Sequence, residues 1–282
     1  MSPPDWRLHP YRADLAAASL RGIVDAPRYV DGLSAYVCAP SVLLVRSPQA
    51  AAPVDSELLH GEPVEVYDQN AGWSWVQSKV DGYVGYVQSA ALQPGAYTAT
   101  HRVRVSRTHI YPGASIKTAD RGVISMGALL QVAQIEGDFA ELSGNAGFVF
   151  AKHLAPIGQY EGDHVDVARC FLHAPYRWGG RSSIGLDCSG LIQMTLAACG
   201  INCPRDTDMQ EQTLGIPIVH DLAALRRGDL VFWKGHVGIV SAPDMLLHAT
   251  GYVMQVIEEP LQAAVDRIAG QGLPITSIKR LQ

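Results

Sequence analysis

No stretch of this 282-residue chain is apolar for long enough to cross a bilayer as a helix. Positive charge is not in excess either: 22 Lys and Arg stand against 27 Asp and Glu, a formal net charge of -5. That balance leaves no electrostatic footprint for nucleic acid, so neither nucleic acid nor a membrane is expected as a partner. Charged residues are sparse at 17% and hydrophobic ones reach 48%, which excludes a largely disordered chain. The length allows two or three domains, each with its own core. The opening "MSPPDWRLHP" lacks a basic start followed by an apolar core. It does not read as a secretory signal, and a cytoplasmic location is expected. Cysteines number five, an odd count without the spacing of a disulfide framework. Cys199 and Cys203 form a C-x3-C with no second Cys or His pair, so no structural zinc is expected there. Cys38, Cys170, Cys199 and Cys203 read as small core residues.

What is present begins with a repeat. Gly61-x-x-Val64-x-Val66 recurs 66 residues on as Gly127-x-x-Leu130-x-Val132, and Trp73 and Phe139 keep that offset. Gly85-Tyr86-Val87, Leu92 and Pro94 recur 62 residues on as Gly147-Phe148-Val149, Leu154 and Pro156, so the second copy has lost four residues in one loop. Alternation in "PVEVYD" and "LLQVAQ", broken by Gly-containing turns, predicts short strands. Two small β-barrels are expected, over residues 33–95 and 97–157. The repeated pattern resembles bacterial SH3-like domains. Ahead of them, in an N-terminal helical segment 1–32, "DLAAASLRGIVDA" places Leu15, Ala18, Leu20 and Ile23 so as to predict a short amphipathic helix.

From about residue 160 the texture changes. "DHVDVARCFLHAPY" predicts a helix capped by Asp163 and ended before Pro175. Leu191, Ile192, Thr195, Leu196 and Cys199 share one helical face, so a second helix is expected from near Cys188, with Gly200 just past its end. "GDLVFW", "HVGIVS" and "MLLHAT" follow as strands, an α+β arrangement. A cysteine in the first turn of a helix faces unsatisfied N–H groups and the positive end of the macrodipole, which favour its thiolate. A nucleophilic cysteine also needs a base, and a group that orients that base. Adjacent strands would bring His236 and His248 side by side, for Cys188 to attack, His236 to take its proton and His248 to hold His236. The same three residues also admit a bland reading as buried structural side chains, and a third as zinc ligands.

"PYRWGG", "DCSGL", "PRDT", "GDLVFW" and "HVGIV" occur in this order, and together they resemble the NlpC-type cell-wall peptidases. That resemblance implies a papain-like α+β catalytic domain over 160–282, preceded by two small all-β SH3-like barrels. It implies Cys188 as nucleophile, His236 as base and His248 as the third residue, with no metal and no cofactor. The backbone N–H of Cys188 and the Tyr176 hydroxyl are candidate oxyanion donors.

Paired SH3-like domains ahead of the peptidase resemble one branch of the family, the γ-D-glutamyl-L-diamino acid endopeptidases. The branch implies cleavage between γ-D-Glu and diaminopimelate or Lys in small peptidoglycan peptides with a free amino-terminal L-Ala, in wall-peptide recycling. A buried ammonium needs carboxylates and acceptors around it. The matching substrate positions are Tyr176, Trp178, Asp187, Ser189 and Asp206, with Thr207 where serine is common. The resemblance adds Tyr83 from the first barrel, with an acidic residue that register sets at Asp55 and a rival alignment at Glu57. Asp187 and Ser189 also read as helix caps, and Tyr176 and Trp178 as core aromatics. The alternatives to this activity are an exported hydrolase of broad peptidoglycan specificity and a non-catalytic wall-binding protein.

Overall fold

The computed structural model describes residues 4–281 and divides into two compact units, the first ending at Ile157 and the second beginning at Gly158. In the first unit, the segment expected to be helical is mostly extended. Tyr11–Arg12 pairs antiparallel with Leu15–Ala17, which pairs parallel with Tyr29–Val30. Only Ala18–Leu20 is helical, as a single 3-10 turn. Leu15, Ala16 and Ala17 are all buried, a pattern that one face of a helix cannot produce. Leu15 packs with Trp75 and Val84, so tertiary burial overrides a local helical preference that one short segment cannot sustain.

The next seven strands form one sheet. Its spatial order is Leu92–Pro94, Leu33–Val37, Pro63–Asn70, Trp73–Ser78, Val84–Gln88, Ser41–Val45 and Val54–Leu59. Alternation puts Val64 and Val66 inside, beside Val37, Leu44, Leu58, Val76 and Val87. Gly85 is required where strands cross closely, since a Cβ there would stand 2.1 Å from Leu44 Cδ2. Residues 101–156 build further antiparallel pairs around a second core of Val103, Ile124, Leu130, Leu142, Val149 and Leu154. Here Gly147 meets the same demand, with a would-be Cβ 2.5 Å from the Tyr111 carbonyl oxygen. Each core is closed by a 3-10 turn and a short strand: Ser89–Ala91 with Leu92–Pro94, then Ala151–His153 with Leu154–Pro156.

The second unit is α+β. Helix α1 (His164–Arg169) begins at Asp163, whose carboxylate accepts from the Val165 and Asp166 amides. Helix α2 (Cys188–Ala198) follows, and Gly200 just beyond it has φ +77°. Every residue of α2 but Ala197 is buried, so it is a central helix enclosed on all sides and not one with a single apolar face. Helix α3 (Thr207–Thr213) and helix α4 (Leu261–Ala269) complete the set. The six-stranded sheet runs Ile216–Pro217, Ile275–Arg280, Leu230–Trp233, His236–Ala242, Met245–Thr250, Gln255–Pro260, antiparallel throughout. Leu261, Ala264 and Ile268 of α4 pack with Val231, Trp233, Val240 and Leu246. Among the described residues no helix is long and apolar enough to cross a membrane.

Candidate active site

The Gly179-Gly180 turn seats the start of α2. Gly179 has φ +74°, and a Cβ on Gly180 would meet the Gly185 carbonyl oxygen at 2.2 Å. Gly190 approaches from the helix side, where its own Cβ would stand 2.2 Å from the Gly180 oxygen. Two of the glycines in "WGG" and "DCSG" therefore let one backbone lie on the other and set the position of Cys188.

Asp187 is the N-cap of α2. Its Oδ1 accepts from the Gly190 amide at 2.7 Å, and its Oδ2 from the Gly179 amide at 2.8 Å. Arg205 donates to both oxygens, at 3.0 and 2.6 Å, and also to Ser189 Oγ at 2.9 Å. This bidentate pair is buried, with the Arg205 side chain 1% exposed. Asp187 and Ser189 thus stand in the capping arrangement that sequence also allowed. Arg205 was visible in "PRDT", but no local pattern tied it to a carboxylate eighteen residues earlier.

Cys188 is almost wholly enclosed. Its Sγ lies 3.9 Å from Thr207 Oγ1 and 3.8 Å from the Gly235 carbonyl oxygen. Burial, with the charge of Asp187 beside it, pushes the thiol up to about 11, against hydrogen bonds from Thr207 and the Val237 and Ser189 amides that favour the thiolate. The helix start alone therefore does not ionise this cysteine. Tyr176 is part-buried, and burial with the neighbouring Cys188 and Asp187 holds its phenol proton on. Trp178 is 69% exposed and so is not a core aromatic. Asp206 occupies the N-cap of α3 without capping it through its side chain, next to the buried Thr207.

The two histidines meet as expected. His236 Nε2 lies 2.8 Å from His248 Nδ1. Gly238 clears the space between their strands, because a Cβ there would lie 2.8 Å from Leu246 Cδ1 and 3.2 Å from the His248 Cβ. The rings bond to one another in place of converging on a common point, an arrangement unlike a zinc site built from Cys188 and both imidazoles. Burial, with His248 and Arg267 nearby, depresses His236 to about 3. Burial lowers His248 as well, although Glu259 opposes it. Sequence reasoning missed the next link: His248 Nε2 lies 2.8 Å from Glu259 Oε1, and Glu259 is held by Arg267. The available signal was parity, since Glu259 falls on the same sheet face as His248.

In the first unit, Tyr83 is 3% exposed and belongs to the core under the seven-stranded sheet. Asp55 is buried and paired with Arg46, and Glu57, also buried, accepts from Ser41 Oγ at 2.7 Å.

A cysteine at the start of a central helix, with an imidazole pair on the adjoining antiparallel sheet, defines the cysteine-peptidase class. Residues 173–266 match the NlpC/P60 family, and residues 44–92 match the bacterial dipeptidyl-peptidase Sh3 domain. The chain is therefore an enzyme carrying an NlpC/P60 peptidase domain with a bacterial SH3 domain upstream. It is similar to dipeptidyl-peptidase 6 of Lysinibacillus sphaericus, at 25% identity over 77% of this chain and 88% of that protein. It is also similar to γ-D-glutamyl-L-lysine dipeptidyl-peptidase of Bacillus subtilis, at 28% identity over 72% of this chain and 75% of that protein. The crystal structure of an NlpC/P60 family protein from Bacillus cereus shares the fold, with a TM-score of 0.72 at 18% identity, over 88% of this chain and 99% of that one.

Proposed function

We propose that this chain hydrolyses the bond between γ-D-Glu and a diamino acid, diaminopimelate or Lys, in small peptidoglycan peptides that carry a free amino-terminal L-Ala. One observation carries the reading: Cys188 opens α2 in a unit whose sheet presents His236 already hydrogen-bonded to His248. The name of the Bacillus subtilis relative, γ-D-glutamyl-L-lysine dipeptidyl-peptidase, supports the substrate class. A place in wall-peptide recycling, in a reducing cytoplasm where Cys188 stays a thiol, completes the proposal.

Nε2 of His236 is engaged by His248, so Nδ1 takes the proton of Cys188. The sulfur then forms a bond to the γ-glutamyl carbonyl carbon, and the carbonyl π electrons move to oxygen. The Cys188 amide, in the first turn of α2, and the Tyr176 hydroxyl donate to that oxyanion. Collapse breaks the C–N bond as His236 returns its proton to the departing amine. Water, deprotonated by His236, then cleaves the thioester and releases the L-Ala-D-Glu dipeptide and the thiol.

Asp206, beside the nucleophile through its neighbour Thr207, is the carboxylate assigned to the substrate ammonium. Asp187 and Ser189 shape that end of the pocket, and Trp178 forms its outer wall. Tyr83, Asp55 and Glu57 are engaged within the first unit, in its core and in the contacts to Arg46 and Ser41, so the peptide site is read from the second unit alone. Residues 97–157 are read as a second SH3-like copy, supported by Gly147 and the closing Ala151–Pro156 segment.

The test compares turnover of L-Ala-γ-D-Glu-diaminopimelate with its N-acetylated form, using wild type and Cys188→Ala. Only wild type on the free tripeptide should release dipeptide. Equal rates on both peptides remove the amino-end recognition, and normal turnover by Cys188→Ala removes the mechanism.

A further inference from the structure

Strand Gln255–Pro260 carries two adjacent glutamates that face opposite ways. Glu258 pairs with Arg169 at 2.8 Å. Glu259 lies on the other face, where register sets it against Leu246 while His248 is set against Ile257. The two side chains are thus diagonal neighbours on one face of the sheet. Arg267, brought over that face by α4, donates to Glu259 Oε2 at 2.7 Å and to Oε1 at 2.6 Å. Its guanidinium also lies over the Tyr252 ring, 4.3 Å from the centroid.

From this geometry we infer that Glu259, clamped by Arg267, is a positioning residue of the peptidase site that acts through His248 on His236. The inference rests on the peptidase reading of Cys188 and His236. Its logic is proton placement. An ionised carboxylate can only accept, so His248 Nε2 carries the hydrogen and donates it in a hydrogen bond to Glu259. His248 Nδ1 is then a bare acceptor, and His236 Nε2 must carry the hydrogen that it receives. His236 Nδ1 is left unprotonated and ready for the thiol of Cys188. The bidentate Arg267 keeps Glu259 ionised, so the carboxylate remains a fixed anion and takes no proton from the imidazoles. When His236 becomes an imidazolium, that anion stabilises it from two strands away.

The charged and titratable groups that act on His236 are His248 on the neighbouring strand, Glu259 one strand further and Arg267 on α4, while Cys188 of α2 lies 3.8 Å from the carbonyl oxygen of the preceding Gly235. Glu259 favours the imidazolium and Arg267 disfavours it.

The experiment follows alkylation of Cys188 by iodoacetamide against pH in the full-length protein. Peptide mass spectrometry separates Cys188 from the other four cysteines, and Cys188→Ala is the blank. Glu259→Gln should slow Cys188 alkylation about tenfold at neutral pH and move its midpoint up by about one pH unit. In a His248→Ala background, where the link is cut, the same substitution should change the rate by less than about twofold. An unmoved midpoint, or an equal effect in both backgrounds, overturns the inference. Should Glu259→Gln fail to fold with Arg267 left unpaired, Glu259→Asp keeps the charge for Arg267 but shortens the reach to His248, and it should slow Cys188 alkylation in the wild-type background and by less than about twofold in the His248→Ala background. If wild type fails to cut the tripeptide while these alkylation shifts appear, the substrate assignment falls and the positioning role stands. If the alkylation profile of Cys188 against pH is unchanged by His236→Ala, so that no imidazole acts on the thiol, both fall.

Discussion

Replacing Asp187 by Asn separates a structural role from a substrate role at the nucleophile. Asp187 accepts from two backbone amides, from Ser189 Oγ and from both terminal nitrogens of Arg205. An amide in its place turns one acceptor oxygen into a donor that faces other donors, whichever way it is flipped. Arg205 is also left buried without its counter-charge, at 1% side-chain exposure. Breaking a buried ion pair from one side costs about 3–5 kcal/mol. With a urea slope of about 2 kcal/mol per molar, the unfolding midpoint should fall by about 2 M. Tryptophan fluorescence follows the transition through the buried Trp233. The same change removes a negative charge that holds the Cys188 proton on, so the thiol should become more acidic and its alkylation profile should move to lower pH. A midpoint loss equivalent to less than about 1 kcal/mol, the range of an exposed pair, would refute this reasoning. A raised KM with unchanged stability would return Asp187 to the substrate's ammonium.

Two further outcomes are expected. Gly190→Ala gains the better helix former, but its Cβ would stand 2.2 Å from the Gly180 oxygen. The clash should cost about 2 kcal/mol net in denaturation and shift the start of α2 enough to lower turnover about a hundredfold. Stability should also form a plateau in pH, measured by unfolding at fixed ionic strength. His236 falls from 6.5 to about 3 on folding, so below pH 6.5 the unfolded chain binds the extra proton and stability drops as pH falls towards 3. Cys188 rises from 9.0 to about 11, so above pH 9.0 the unfolded chain releases its proton first and stability drops as pH rises. Each group contributes a slope of about 1.4 kcal/mol per pH unit inside its window.

How much was legible in the chain follows from how local each determinant is. The apolar spacing from Leu191 to Cys199 and the glycine after it marked α2, because periodicity and a positive-φ stop are local properties. "GDLVFW" and "HVGIVS" marked the strands whose hairpin pairs Trp233 with His236. The N-terminal segment misled because its apolar residues fit a helical face, while Trp75 and Val84, some sixty residues on, reward an extended chain. Arg205, Glu259 and Arg267 were not identified for a related reason. Each acts through a partner that only the packed unit brings near, and an isolated Arg or Glu on a half-buried element has no sequence signature. Glu259 came closest to being readable, since strand parity separates it from Glu258 once the register with His248 is known.

The missed residues share a pattern that bears on mechanism. Two carboxylate–arginine pairs flank the proposed reacting groups, Asp187 with Arg205 beside the thiol and Glu259 with Arg267 beside the imidazoles. Burial keeps both Cys188 and His236 neutral at rest, one pushed up to about 11 and the other down to about 3. The two carboxylates then act in opposite senses. Asp187 opposes the thiolate, whereas Glu259 favours the imidazolium and Arg267 opposes Glu259 in this. In the proposed mechanism, proton transfer from sulfur to His236 therefore depends on the difference between two opposed fields and not on the helix start alone. Weakening the Asp187 side should make the cysteine more reactive in a less stable protein. Weakening the Glu259 side should make it less reactive while sparing the start of α2, because the bonds of Glu259 run to His248 and Arg267 and not to the cap of that helix.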